Sequence, residues 1–113
     1  MIADGFYKVT FSALLQGVGG IVVFEGGRIR GGDDQYLYSG TVTGPDERLL
    51  VDLTVKAYAP GAISVFGSQG GKFTLQLVGN VVGRDLQFSG PSPIPGSPGI
   101  TVHAAFVSDL ALY

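Results

Sequence analysis

The chain has 113 residues, of which 45% are hydrophobic and only 14% charged, with a formal net charge of −2. The length predicts one domain spanning 1–113 with a modest core. The acidic balance argues against direct nucleic-acid binding, which needs a basic face, and the absence of cysteine excludes disulfides and thiolate zinc sites.

An average globular chain is about one quarter charged. So much apolar residue in a short chain predicts an additional buried surface, either a subunit interface or an internal cavity. The 19 glycines and 6 prolines fall between apolar runs rather than in repeats, and read as turns and strand bends. Met1 to Gly5 leads straight into a strand pattern, without the charged and apolar regions of a secretory signal. No apolar run approaches the roughly 20 residues of a membrane-spanning helix. A cytoplasmic protein without membrane association is expected.

In chain order, residues 5–15 alternate, with Tyr7, Val9, Phe11 and Ala13 on one face and Lys8, Thr10 and Ser12 on the other. This is the period of a half-buried strand. Gly17-x-Gly19 resembles the start of a dinucleotide fingerprint, but Val22 stands where the third glycine belongs and a strand follows instead of a helix. A glycine-rich strand bend is the better reading. Ile21 to Phe24 is apolar on both faces. A barrel covers only one, so Ile21 and Val23 are expected at a homodimer interface.

Gly26 to Val42 packs two turns and two strands together. Gly26-Gly27 supplies the positive φ of a tight hairpin. Arg28-Ile29-Arg30 alternates, its two cations suited to guarding a sheet edge. Gly31-Gly32-Asp33-Asp34 is predicted to turn the chain, an Asp carboxylate accepting from backbone N–H groups ahead of it. Tyr36, Tyr38, Gly40 and Val42 then share one face. Residues 43–47 read as a turn. Arg48 to Tyr58 is the longest predicted strand, with Leu49, Val51, Leu53, Val55 and Ala57 on one side. Ala62 to Phe66 fits either a bent strand or a helical turn. Lys72 to Val78 directs Phe73, Leu75 and Leu77 inward, and Asn80 to Gly83 reads as a turn region, with Val81-Val82 partly strand. Arg84 to Ser89 directs Leu86 and Phe88 inward. Residues 90–99 form a proline-rich loop. Ile100 to Val107 directs Ile100, Val102, Ala104 and Phe106 inward.

About eight short strands without a helix predict an all-β barrel or sandwich. Mixed large and small inward residues fit the taper of a small antiparallel eight-stranded barrel. Its interior would be lined by Phe11, Tyr36, Tyr38, Leu53, Phe73, Leu75, Phe88, Ala104 and Phe106. Such a barrel either holds one apolar small molecule, oriented by tyrosine hydroxyls, or is filled by its own side chains.

Catalytic chemistry has little support. The single histidine, His103, faces outward by alternation, and no G-x-S-x-G elbow exists. The carboxylates show neither a pair at helical spacing nor an EF-hand pattern. No catalytic residue, metal site or cofactor is expected.

Several segments in order give a family resemblance: Asp4-Gly5-Phe6-Tyr7 with Phe11, Gly17 to Phe24, Gly31-Gly32-Asp33 with Tyr38 and Gly40, Ser64-Val65-Phe66-Gly67 before Phe73, and the closing strand from Ile100. Together they cover most of the chain, which resembles the GrlR-type family of negative regulators of type III secretion genes. The resemblance implies an eight-stranded lipocalin-like barrel, a homodimer, an interior able to take a lipid-like molecule, and no enzymatic activity. It also implies a transcriptional activator held through a run of acidic residues on a surface loop. The corresponding loop here is Gly44-Pro45-Asp46-Glu47-Arg48, a shorter acidic run, with Asp46 and Glu47 as the partner-binding residues.

Overall fold

The computed structural model describes residues 2–12, 16–17, 19–62, 71–92, 96 and 99–112. Its strands are β1 Gly5–Ser12, β2 Gln16–Gly17, β3 Ile21–Glu25, β4 Arg28–Gly32, β5 Tyr36–Thr43, β6 Leu49–Ala57, β7 Lys72–Val82, β8 Asp85–Gly90 and β9 Ile100–Ser108. All neighbouring strands are antiparallel, and β9 returns to pair with β1. The result is an eight-stranded closed barrel, with no helix among the described residues. The short β2 adds no stave of its own. It pairs with Phe11 and Ser12 of β1, whereas β3 pairs with Gly5 to Lys8 of the same strand. Between these pairings Val9 N donates to Gly20 O at 2.9 Å, and β3 follows directly. The glycine-rich segment is a strand bend, as the missing third glycine implies.

The barrel follows from alternation. Tyr7, Val9, Val22, Phe24, Ile29, Tyr36, Tyr38, Val51, Leu53, Val55, Leu75, Leu77, Leu86, Phe88, Val102 and Ala104 are all buried. Their outward neighbours Lys8, Arg28, Arg30, Asp52, Lys56 and Lys72 are exposed. A one-residue slip in any strand would exchange these two sets. Each fully buried Leu or Ile stabilises the fold by about 1.5–3 kcal/mol, which locks the register.

The structure corrects three readings of the sequence. First, Gly31 and Gly32 belong to β4, and the turn begins at Asp33. The β4 backbone lies so close to β3 that a Cβ on Gly31 would collide with the Ile21 carbonyl oxygen. The glycines there serve packing rather than turning. Second, Arg28 and Arg30 guard no edge, because β4 sits between β3 and β5 in a closed sheet. Third, Asn80 to Val82 are strand, and the turn is confined to Gly83 and Arg84. Gly26 and Gly27 do form the β3–β4 turn, with φ of 58° and 78°. Ala13, most of 62–66 and much of the proline-rich loop lie outside the described residues.

Candidate functional site

The inward residues divide into three levels. At the end where β1 begins, Tyr7 is fully buried and packs against Phe24 and Phe106, with ring centroids 4.8 and 5.3 Å away. The Tyr7 hydroxyl donates to Ala3 O at 2.6 Å. The Arg84 guanidinium covers the Phe106 ring at 3.9 Å, a cation–π contact. This end is plugged, and Phe106 belongs to the plug.

At the middle, Phe11, Tyr38, Leu53, Phe88 and Ala104 come together around a void of about 30 Å³, with Val9, Val22 and Leu77 among its other walls. Ligand pockets usually offer about 300–1,000 Å³. Leu75 is buried but does not line this void.

At the opposite end lies an aromatic and acidic cluster built by the β4–β5 turn. Asp33 Oδ1 accepts from Gln35 N at 2.8 Å and Tyr36 N at 2.7 Å. Its Oδ2 accepts the Tyr38 hydroxyl, and its carbonyl accepts the Tyr58 hydroxyl at 2.6 Å. The Phe11 ring meets Tyr38 at 5.3 Å, and Phe73 meets Tyr36 at 6.2 Å. Burial, reinforced by Asp33, pushes the Tyr38 phenol well above its usual range. Burial also raises Tyr36, whose hydroxyl is enclosed without a hydrogen-bond partner among the described residues.

Outside the barrel, the expected interface residues are placed as predicted by parity: Ile21 is 45% exposed and Val23 half-buried. Register puts Phe6 opposite Val23. It also puts Gly32 between Ile21 and Leu37, which is 52% exposed. Phe6 and Leu37 thus add apolar surface beside Val23 and Ile21, in rows that also carry Lys8, Arg30 and Lys56, and were missed in the sequence. The signal for Leu37 was available: in Tyr36-Leu37-Tyr38, two inward tyrosines force the leucine out.

Asp46 is half-buried in the β5–β6 loop, where its carbonyl accepts Val81 N at 2.9 Å, and Glu47 is exposed. Asp46 borders an open groove of about 590 Å³ together with Asp4, Ile2, Phe24 and Leu49. His103 Nε2 lies 3.6 Å from Asp85 Oδ2 on the exposed surface, a pairing the sequence did not indicate. Among the described residues no three His, Asp or Glu side chains gather as a metal site would require.

The fold defines an all-β closed barrel with an apolar interior. Comparison with protein-family models and with curated proteins returned no match.

Proposed function

We propose that this chain is a non-enzymatic binding protein that acts as a homodimer and holds a protein partner on its surface. Its barrel serves as a scaffold filled by its own side chains. The observation that carries this reading is the central void of about 30 Å³, roughly a tenth of the smallest usual ligand pocket. The apolar surface of Phe6, Ile21, Val23 and Leu37 supports self-association. The loop carrying Asp46 and Glu47 supports contact with a basic partner, because rim charge sets association rate and partner choice. The resemblance to GrlR-type regulators would make that partner a transcriptional activator.

A second reading, in which the barrel carries an apolar molecule, draws on one observation. The enclosed Tyr36 hydroxyl has no partner among the described residues, and such a group costs about 1–3 kcal/mol unless something polar meets it. A lipid-like guest with its polar head at Tyr36 would remove that cost.

Native mass spectrometry of purified protein distinguishes these readings. The expected result is twice the chain mass without an adduct. A dimer with a bound lipid would favour the second reading. A monomer at micromolar concentration would overturn the dimer. Replacing Ile21 and Leu37 together by Asp is expected to give a folded monomer.

A further inference from the structure

Strand register gathers cations that are far apart in sequence. Lys8, Lys56 and Lys72 are the only lysines of the chain, and all three fall in one row across the outside of the barrel. From β1 to β7 that row is Lys8, Ile21, Gly32, Leu37, Lys56 and Lys72. The lysines are exposed, and Ile21 and Leu37 are each about half exposed. The row lies near the end of the barrel where β4 and β6 finish and β5 and β7 begin. Tyr58, also about half exposed, stands just past the end of β6 there.

Charge is divided between the two ends. The adjoining row is Phe6, Val23, Arg30, Ser39, Thr54 and Thr74, and neither row holds a carboxylate. Two acids sit in the β4–β5 turn at the lysine end. The Asp33 carboxylate is taken up by Gln35 N, Tyr36 N and the Tyr38 hydroxyl, and Asp34 is exposed. In sequence, the connections that leave the strands at this end, 13–20 and 58–71, contain no charged residue. The opposite end carries six of the nine acids, Asp4, Glu25, Asp46, Glu47, Asp85 and Asp109, with three arginines.

We infer that the lysine end of the barrel docks on an anionic lipid surface. Lys56 and Lys72 are direct cross-strand partners, and like charges placed so are unfavourable. An anion meeting both ammonium groups removes that cost. The row crosses six of the eight staves, so it is a belt about the barrel end rather than a patch on one side. A globular partner seated on one side meets part of a belt, whereas a flat surface laid across the end meets all of it. Long lysine stems reach headgroup phosphates while Ile21, Leu37 and Tyr58 approach the acyl boundary. Charge and apolar contact together supply the two signals that a stable peripheral attachment needs, without a spanning segment. The inference is independent of the protein-binding reading: Asp46 and Glu47 lie at the other end, and Lys56, Lys72 and Tyr58 are not among the residues proposed for self-association.

Co-sedimentation with vesicles tests the inference. The protein is expected to pellet with vesicles of two parts phosphatidylcholine to one part phosphatidylserine, and not with phosphatidylcholine alone. Salt at about 1 M, where the screening length falls to about 3 Å, is expected to release it. Lys56→Gln combined with Lys72→Gln should weaken binding about 25-fold, about fivefold for each lysine. Arg28→Gln combined with Arg48→Gln makes the same charge change at the other end and should alter binding by less than about twofold, because screening limits its reach. Unchanged circular dichroism and melting temperature would show that both variants fold. No pelleting with the anionic vesicles overturns the inference. So does equal weakening by the two pairs, which would make net charge rather than the lysine belt responsible. Binding to polyglutamate but not to vesicles overturns it as well, and would make the occupant an acidic protein.

Discussion

Asp33 and Tyr38 stand on opposite sides of the β4–β5 turn, joined by a hydrogen bond from the tyrosine hydroxyl to the carboxylate. The other oxygen of the same carboxylate accepts the backbone N–H groups of Gln35, the last turn residue, and Tyr36, the first residue of β5. One side chain thus fixes where the turn ends, how β5 starts and where an inward ring points. A glycine-rich strand followed by Asp33 is the sequence form of this arrangement: the glycines allow β4 to approach β3, and the aspartate closes the corner.

Replacing Asp33 by Ala is therefore expected to destabilise the fold by about 3 kcal/mol in urea denaturation. Three hydrogen bonds to a charged group are lost and a buried phenol is left unpaired. Asp33→Asn retains an acceptor for the backbone and is expected to cost about half as much. Equal losses in the two variants would show that the carboxylate charge, rather than its geometry, holds the corner.

Alkaline pH should weaken the fold. Burial, as the leading cause, holds the Tyr7, Tyr36 and Tyr38 phenols above the ordinary tyrosine pKa in the folded protein. A phenol near pKa 10 in the unfolded chain releases its proton first. Below about pH 10 the contribution of these groups is fully present, and above it the folded state binds more protons, so stability falls as pH rises. Each such group adds a slope of about 1.4 kcal/mol per pH unit. Tyr38→Phe is expected to make the alkaline limb less steep while lowering stability at pH 7. An unchanged limb would mean that Tyr38 ionises as readily folded as unfolded.

Ala104 is buried on β9 beside the central void. Ala104→Phe adds far more volume than about 30 Å³, so it is expected to cost about 1–3 kcal/mol through overpacking. Neither parent nor variant should take up a fluorescent apolar probe. Probe binding by the parent, abolished in a variant of unchanged stability, would show that the barrel opens to admit a guest.

Replacing Glu47 by Ala should shift stability by less than about 0.5 kcal/mol, because its side chain is exposed and the loop keeps the backbone bonds of Pro45 and Asp46. Once a protein partner is in hand, the same variant should bind it more slowly and with a weaker dependence on salt. Unchanged affinity and salt dependence would leave this loop as a turn alone.

The staves of the barrel were legible because each strand alternates, and Tyr7, Leu53, Leu75 and Val102 needed only parity to be placed. Ile21 was legible for the same reason, as an apolar residue on the wrong face. The Gly31-Gly32 pair was misread because glycine serves both turns and close strand approach, and only the position of β3 decides between them. Arg28 and Arg30 were misread because edge and centre look alike until closure is known. The pairing of Asp85 with His103 joins residues distant in sequence, through the register of β8 against β9 that alternation does not encode.

The pairing of β1 with β9 also governs how the protein must be made. Phe6 lies opposite Ser108 and Ser12 opposite Thr101, so the contacts that close the barrel join strands nearly a whole chain length apart. Contacts of such range are slow to form. On the ribosome, β1 emerges before β9 and must wait for it. Until then the nascent chain is an open, curved sheet, with the edges of β1 and β8 free to pair with neighbouring chains. A product truncated before Ile100 would remain in that state, making aggregation rather than partial function the expected fate of incomplete synthesis.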